Sequence, residues 1–325
     1  MGLLVEGRWQ AGGRDARQTG GRFVRQDAQF RDWISADGSS GFAAQPGRYH
    51  LYVSFACPWA HRTLIFRTLK GLKAAIEVSV VHPFMGDDGW SFAAGQGVVP
   101  DPLNGAEFMR DVYLAAAPRY SGRCSVPVLW DKERQTIVSN ESSEIIRMFN
   151  SAFDALIPAA EAALDFYPEE MRGEIDRINT EVYDNLNNGV YKCGFATTQE
   201  AYEEALTAVF GTLERLEEVL GRQRYLAGGR ITEADWRLFA TLVRFDAVYV
   251  GHFKCNLKRI EDYPNLSHYL RELYQLPGVA PTVNLDHIKR HYYQSHATVN
   301  PTGIVPAGPE LDFSRPHDRG RLAAA

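Results

Sequence analysis

Four short segments of the chain carry runs or alternations of β-branched and aromatic residues, a pattern typical of strands. They cover residues 48–55, 76–83, 125–131 and 135–139. Between the first two, apolar residues recur at helical spacing after Pro58, a residue type suited to the first position of a helix. This βαβ order predicts two parallel strands. The short turn between the last two segments predicts a hairpin.

A helix with the sequence SEIIRMFN is predicted directly after the hairpin. Ser139 or Asn140 is its expected N-cap, and a carboxylate at Glu141 or Glu144 favours the positive end of the helix dipole. Residues 84–119 are rich in Gly, Pro and Asp and too long for an ordinary connection, which predicts a functional excursion. A βαβ unit, an excursion and then a ββα unit follow the order of a thioredoxin-like α/β domain.

Long patterns of helical period replace the strands beyond Pro158 and predict an all-α helical domain. Thr232 and Asp235 begin one of these helices in the manner of a capping box. We therefore expect an irregular N-terminal arm over residues 1–45, a thioredoxin-like domain over 46–155 and a helical domain over 160–325. Aromatic side chains should hold the arm in place, namely Trp9, Phe23, Phe30 and Trp33. The Pro- and Gly-rich tail from about residue 290 should lie on the surface as an ordered strap.

Composition narrows the function classes. The 325 residues carry a formal net charge of -5 without a long basic run, so a nucleic-acid partner is not expected. No apolar stretch approaches the roughly 18 residues that span a bilayer, and the N-terminus lacks a signal pattern, so we expect a cytoplasmic protein without a membrane partner. The His, Cys, Asp and Glu residues show no metal-ligand spacing, so no metal is expected.

The four cysteines lie far apart in sequence, so each is judged alone as a reactive thiol or a buried residue. Cys57 lies between the first strand and the first helix. Strand ends bind ligands in open α/β sheets, and the helix N-terminus favours a thiolate. The position three residues later is Ala60, so no second cysteine can resolve a mixed disulfide, and an external small thiol such as glutathione must do so. Packing roles are expected for the other three, which are Cys124, Cys193 and Cys255.

Two further features favour a peptide thiol as the ligand. Val126-Pro127 heads the third strand, where a proline of this fold is typically cis and would turn the backbone of Val126 toward an extended peptide. Glu141 and Ser142 begin the next helix, where N–H groups and a hydroxyl can hold a carboxylate and Glu141 an ammonium. A γ-glutamyl group carries both charges. Together with Cys57, these residues fit glutathione.

The chain resembles the glutathionyl-hydroquinone reductases, the Xi class of the glutathione transferase superfamily, over nearly its whole length. The motifs that carry the resemblance are FRDWI, CPWAHR, VPVLWD, SNESSEIIRMFN, NNGVYKCGFA, TEADWRLF, VRFDAVYVGHFKCN, DYPNL, HIKRHYY and NPTGIVPAGP. The resemblance implies that Cys57 attacks the sulfur of a glutathionyl-hydroquinone and releases the hydroquinone. A second glutathione would then free Cys57 and form glutathione disulfide.

The resemblance also implies roles for residues that spacing alone does not single out. Trp90 would pack on glutathione and Arg123 would bind its glycine carboxylate, beside Val126, Glu141 and Ser142. Tyr191, Tyr249 and Tyr292 would form the hydroquinone site in the helical domain, with catalytic roles for Tyr191 and Tyr292; Tyr293 is the fallback. A homodimer that pairs through the helical domains is expected, with a role in quinone detoxification.

Two other functions share parts of this pattern. An Omega-like thiol transferase or dehydroascorbate reductase needs Cys57 but no tyrosine pocket. A non-catalytic binding module with the glutathione transferase fold would usually lack the thiol. Turnover of a glutathionyl-hydroquinone compared with dehydroascorbate distinguishes the two enzymes.

Overall fold

The chain divides into two compact units in a computed structural model that describes residues 2–12 and 19–322. The first unit comprises residues 26–165 together with 2–12, and the second comprises residues 166–322 together with 19–25. The expected N-terminal arm is thus shared between the two units. The division follows Asp165, beyond the expected end of the first domain at residue 155.

The first unit is built on a four-stranded mixed sheet. The strands of this unit are β1 Leu3–Val5, β2 Arg8–Gln10, β3 Ile34–Ser35, β4 Phe42–Ala43, β5 Tyr49–Val53, β6 Glu77–Val80, β7 Val128–Asp131 and β8 Thr136–Ser139, of which the last four form the sheet. Its helices are α1 Pro58–Leu69, α2 Met109–Ala116, α3 Ser142–Ser151 and α4 Ala159–Ala162. The sheet order is β6-β5-β7-β8, with β5 and β6 parallel and the other pairs antiparallel. The predicted parallel pair, the hairpin and the thioredoxin-like order are confirmed.

Strand β5 lies inside this sheet, and all five of its residues are buried. A strand covered on both faces needs apolar or paired side chains throughout, as the run from Tyr49 to Val53 provides. The chain leaves the strand at Ser54 and enters α1 at Pro58. The carboxyl end of the strand therefore delivers Cys57 to the start of a helix.

The predicted N-cap of α3 is wrong. The cap is Glu141, whose Oε1 accepts hydrogen bonds from Ser143 N and Oγ at 2.9 and 2.8 Å. Ser139 and Asn140 do not cap the helix because their side chains have other partners. Ser139 Oγ accepts from Glu141 N, and Asn140 joins Phe30 N to the Tyr113 hydroxyl.

The N-terminal arm is more regular than the sequence indicates, since β1 and β2 form an antiparallel hairpin. Trp9 Nε1 donates to Asp87 O at 3.0 Å, and the Arg110 guanidinium lies over the Trp9 ring. Phe30 packs against the rings of Tyr113 and Tyr120. Two of the predicted aromatic anchors therefore hold the arm on the first unit, whereas Trp33 stays 39% exposed.

The second unit is helical. Its helices are α5 Arg172–Val182, α6 Gly189–Gly194, α7 Gln199–Arg222, α8 Glu233–Arg244, α9 Pro264–Gln275 and α10 Leu285–Ser295. The predicted all-α character is confirmed, and so is the Thr232–Asp235 capping box. The tail begins later than expected, because α10 occupies residues 285–295. None of the helices within residues 2–12 and 19–322 is long and apolar enough to cross a bilayer.

Two π-helical segments interrupt the long helical patterns, at Tyr183–Asn187 after α5 and at Phe245–Tyr249 after α8. Such segments insert an extra residue into the helical ladder and often occur at functional sites. Asn187 ends the first segment, and its Nδ2 donates to Thr241 Oγ1 at 2.7 Å and Arg237 O at 3.2 Å. This buried amide fixes the first segment against α8, just ahead of α6.

The strap after α10 is anchored by Arg319, which is fully buried. Its Nη1 donates to Leu220 O at 2.6 Å, and its Nη2 donates to Gln223 O and Arg224 O at 2.8 and 2.5 Å. These carbonyls lie at the C-terminal end of α7, where helical partners run out. One guanidinium from the strap therefore caps the C-terminal end of α7, the longest described helix.

Asp235→Ala should destabilise the second unit strongly. The buried carboxylate accepts from Leu226 N, Thr232 N, Thr232 Oγ1 and Tyr269 Oη. Its removal leaves several buried donors unsatisfied, at a cost of about 3 kcal/mol or more. Asp262→Ala is the matched control, because Asp262 completes a capping box with Arg259 but is 38% exposed, and it should cost about 1 kcal/mol or less. Equal shifts in thermal unfolding, followed by circular dichroism, would contradict this ranking.

Candidate active site

Cys57 is the N-cap residue of α1. Its backbone is extended (φ -75°, ψ 121°), and its carbonyl accepts the first helical hydrogen bond from His61 N at 3.0 Å. Pro58 follows at the first helical position, as predicted. The Cys57 side chain is half-buried and its Sγ donates to Val126 O at 3.4 Å. The thiol therefore lies at the positive end of a helix dipole with part of its surface accessible.

The Val126–Pro127 peptide bond is cis, as predicted. Pro127 has no N–H to donate to a neighbouring strand, and it lies just before β7. The Val126–Pro127 segment is therefore outside the hydrogen-bonded part of the sheet. The carbonyl of Val126 faces the Cys57 thiol. The sequence-predicted nucleophile and the sequence-predicted peptide contact are thus adjacent.

The other predicted glutathione residues lie at three places in the same unit. Ser142 is the first residue of α3 and is 3% exposed, and Glu141 caps that helix. Arg123 is half-buried in the segment that leads to Val126. Trp90 is buried in the excursion, and its carbonyl accepts from Met109 N at the start of α2. The excursion is thus ordered by a helix that the sequence analysis missed.

The remaining three thiols have a raised pKa, are buried, or both. All four cysteines are free thiols. Desolvation raises the pKa of Cys124 to about 12, and the pKa of the Cys255 thiol is raised well above its usual value by its hydrogen bond with Cys193 and by burial. Cys193 is 3% exposed and Cys255 is fully buried. These three thiols stay protonated at neutral pH or are shielded from reagents, so they are poor nucleophiles.

The second unit brings together the three predicted tyrosines from three different elements. Tyr191 lies on α6, Tyr249 ends the second π-helical segment and Tyr292 lies on α10. The Tyr292 hydroxyl is central, 2.5 Å from the Tyr191 hydroxyl and 3.0 Å from the Tyr249 hydroxyl. Tyr293, the fallback, instead has its ring 4.9 Å from that of His252.

The surroundings of this hydroxyl network keep Tyr249 and Tyr292 neutral. Burial raises the pKa of Tyr249 and Tyr292 well above the usual value for phenols. Burial also lowers the pKa of His252 to about 4, and that of its partner His296 falls too. At neutral pH both phenols hold their protons and both imidazoles are uncharged. Only Tyr191 retains partial exposure among the three tyrosines.

The structure adds contacts to Tyr191 that sequence analysis did not predict. The Arg25 guanidinium carbon lies 4.8 Å from the centre of the Tyr191 ring, and the Phe23 ring stacks at 6.2 Å. Both come from the N-terminal arm, which has no periodic pattern. Only their type, an aromatic residue and an arginine in a polar segment, offered a signal.

No group of three or more His, Cys, Asp or Glu side chains in residues 2–12 and 19–322 is placed to hold a metal ion.

Comparison with known proteins places the chain in a family. The family description "Glutathione S-transferase, N-terminal domain" matches residues 56–152, and "Glutathione S-transferase, C-terminal domain" matches residues 199–272. The chain is 56% identical to the glutathionyl-hydroquinone reductase YqjG of Escherichia coli, over 98% of both chains. It is 58% identical to the glutathionyl-hydroquinone reductase PcpF of Sphingobium chlorophenolicum, over 95% of this chain and 96% of PcpF.

The chain belongs to the glutathionyl-hydroquinone reductases, the Xi class of glutathione transferases. Solved structures of this class agree with its fold. The glutathione-bound structure of Escherichia coli YqjG superposes with a TM-score of 0.87 at 57% identity, covering 90% of this chain and 96% of YqjG. A Xi-class structure from Natrialba magadii gives a TM-score of 0.92 at 49% identity, covering 99% and 98% of the two chains. The predicted Xi-class resemblance and the two-part glutathione transferase fold are confirmed.

Thiol labelling should single out Cys57. A raised pKa means that a thiol stays protonated until the pH rises toward that value, so Cys124 and Cys255 should react slowly at pH 7. Iodoacetamide at that pH should alkylate Cys57 first, as peptide mass spectrometry would show. Cys57→Ala should leave only slow labelling. Fast modification of Cys124 in the native protein would contradict this assignment.

Proposed function

We propose that this protein reduces glutathionyl-hydroquinones to hydroquinones with glutathione as co-substrate, and that Cys57 is the nucleophile. The observation that carries the proposal is the half-buried thiol at the start of α1, facing the Val126 carbonyl, in a chain 56% identical to a glutathionyl-hydroquinone reductase. A helix N-terminus favours a thiolate, which is the reactive form.

The first step is attack of the Cys57 thiolate on the glutathione sulfur of the aryl thioether. A disulfide bond forms between Cys57 and glutathione while the bond from sulfur to the ring carbon breaks. The electron pair of that bond stays on the ring carbon, which takes up a proton. Cys57 is thereby oxidised to a mixed disulfide, and the aromatic ring is reduced to the hydroquinone.

The second step regenerates the thiol. The thiolate of a second glutathione attacks the glutathione sulfur of the mixed disulfide, and Cys57 leaves as a thiolate. The product is glutathione disulfide. Ala60 occupies the position where a dithiol enzyme has its resolving cysteine, so the external thiol is required.

Glutathione recognition is assigned to the residues around the thiol. The backbone of Val126 would pair with the peptide, and the α3 N-terminus with Ser142 would hold the γ-glutamyl carboxylate. Glu141 would accept the ammonium in addition to capping α3. Arg123 suits the glycine carboxylate because its guanidinium can donate two parallel hydrogen bonds, and Trp90 would pack against the tripeptide.

The hydroquinone is assigned to the tyrosine network. Tyr191 would contact the ring hydroxyl, with Tyr292 and Tyr249 behind it. Neutral phenols suit this role, because each can donate a hydrogen bond or a proton and take one from its neighbour. The network thus offers a proton for the ring carbon without a charged acid in a buried site.

We also propose a cytoplasmic location and a homodimer that pairs through the helical half. A reaction that consumes glutathione, and four free thiols, suit a reducing compartment. A monomer by light scattering at micromolar concentration would contradict the homodimer.

Cys57→Ser should abolish turnover of a glutathionyl-hydroquinone. A serine hydroxyl is hardly ionised at neutral pH and is a poor leaving group from an adduct with glutathione. Thermal unfolding should be nearly unchanged, since the substitution is close to isosteric at a half-buried position. Substantial residual reduction, measured by product chromatography, would assign the nucleophile to another residue.

Tyr191→Phe, Tyr249→Phe and Tyr292→Phe should each slow the aromatic reaction by about tenfold or more, as expected for the loss of one catalytic hydrogen bond. Each variant keeps the ring and loses the hydroxyl. Reduction of a simple disulfide, which requires Cys57 but no aromatic site, should be nearly unchanged. Equal losses with both substrates would assign these tyrosines a structural role.

A further inference from the structure

Arg25 belongs to a short N-terminal segment, residues 19–25, that packs within the second unit. Thr197 N donates to Gly21 O at 3.0 Å, and Arg22 Nη2 lies 2.8 Å from Glu204 Oε2. These contacts fix the segment at the C-terminal end of α6 and on the first half of α7. Arg25 therefore reaches α6 from an anchored backbone.

The Arg25 side chain makes two contacts on α6 and its N-cap. Its guanidinium carbon is 4.8 Å from the Tyr191 ring centre, and its Nε donates to Asn188 Oδ1 at 2.6 Å. Asn188 is the N-cap of α6 and precedes Tyr191 by three residues, so both contacts lie on one turn of helix. A cation over an aromatic face is attractive, and the hydrogen bond fixes where the guanidinium lies.

Phe23 completes the enclosure of Tyr191. Its ring stacks on Tyr191 at 6.2 Å with 27° between the planes, and on Phe195 at 5.5 Å. Phe253 contacts the Tyr191 ring edge to face at 5.3 Å. Arg25 is the one charged group among these ring contacts. Its hydrogen bond to Asn188 fixes the position of the guanidinium relative to the Tyr191 ring, which apolar contacts alone would not do.

We infer that Arg25 is a positioning residue for the proposed hydroquinone reaction: it fixes the Tyr191 ring so that its hydroxyl stays within hydrogen-bond distance of Tyr292. The inference rests on the proposed function of Tyr191. The other two tyrosines are buried to 1% exposure or less, whereas Tyr191 is only half-buried and depends on these side contacts for its orientation. Lysine could replace Arg25 only in part, because a compact ammonium cannot both lie over the ring and reproduce the hydrogen bond to Asn188.

The test compares Arg25→Met and Arg25→Lys with the wild type on two substrates, a glutathionyl-hydroquinone and a simple disulfide. Arg25→Met keeps the stem and removes the guanidinium. We expect kcat/KM for the aromatic substrate to fall by about tenfold, the order of one desolvated cation–π contact. Arg25→Lys should recover only part of this loss. Both variants should reduce the disulfide within about twofold of the wild type, since Cys57 is untouched.

Arg172→Met is the matched control. Arg172 also places its guanidinium over a tyrosine of the second unit, 5.2 Å from the Tyr167 ring centre, but it is exposed and has no part in the tyrosine network. This variant should behave as the wild type with both substrates. A loss equal to that of Arg25→Met would overturn the inference.

A double-mutant cycle separates positioning from simple packing. If Arg25 acts through the Tyr191 hydroxyl, Arg25→Met should cost little once Tyr191→Phe has removed that hydroxyl. Additive losses in kcat/KM would overturn the inference, as would an unchanged aromatic rate in Arg25→Met alone.

A Tyr191→Phe variant that keeps full aromatic activity would refute the proposed role of Tyr191, and the inference with it. A wild type without hydroquinone turnover would refute the proposed function itself. If Arg25→Met does not fold, Arg25→Lys carries the same cycle.

Discussion

The start of α1 is the constraint on which the chemistry of the first unit depends. Strand β5 is buried along its whole length, so its end is fixed by the packing of the sheet. Pro58 then fixes where the helix begins, since its ring suits only the first turn. Cys57 is held between these two fixed points. It is neither in the strand nor in the helix, and as the N-cap residue it stands at the positive end of the helix dipole, with its thiol donating to Val126 O.

In the second unit, the polar groups of the candidate site are stabilised by hydrogen bonds to one another. Burying three phenols would be unfavourable if each hydroxyl lacked a partner. Here the hydroxyls satisfy one another through Tyr292, and the neighbouring imidazoles of His252 and His296 pair in the same way. The result is a cluster of neutral phenols, Tyr249 and Tyr292, and neutral imidazoles in an aromatic environment. Such a cluster can share protons internally while its position is fixed by rigid rings.

The sequence was sufficient for the regular part of the fold. The four strands of the main sheet, α7 and the Thr232–Asp235 cap follow from local patterns, and the structure has them. The π-helical segments were missed because an extra residue in the helical ladder leaves composition and apolar spacing almost unchanged. The N-cap of α3 was missed because partners distant in sequence, such as Phe30, occupy Asn140.

Some residues of the candidate sites could be predicted from local sequence, and others could not. Cys57, Val126 and Ser142 are marked locally, by a strand end, a proline and a helix start. Nothing local marks Tyr191, since the chain has 15 tyrosines, and only the family resemblance singled it out. Neither the local sequence patterns nor the family resemblance indicated Arg25. It acts on Tyr191 from 166 positions away, through a contact that exists only in the folded unit.

The buried Arg319 has a consequence for how the protein is made. The carbonyl of Leu220 meets its donor only when a residue 99 positions further along the chain has been synthesised. While the ribosome is still translating that stretch, the last turn of α7 can be capped only by water. Co-translational folding of the second unit is therefore incomplete until the strap has emerged from the exit tunnel and Arg319 can reach the last turn of α7.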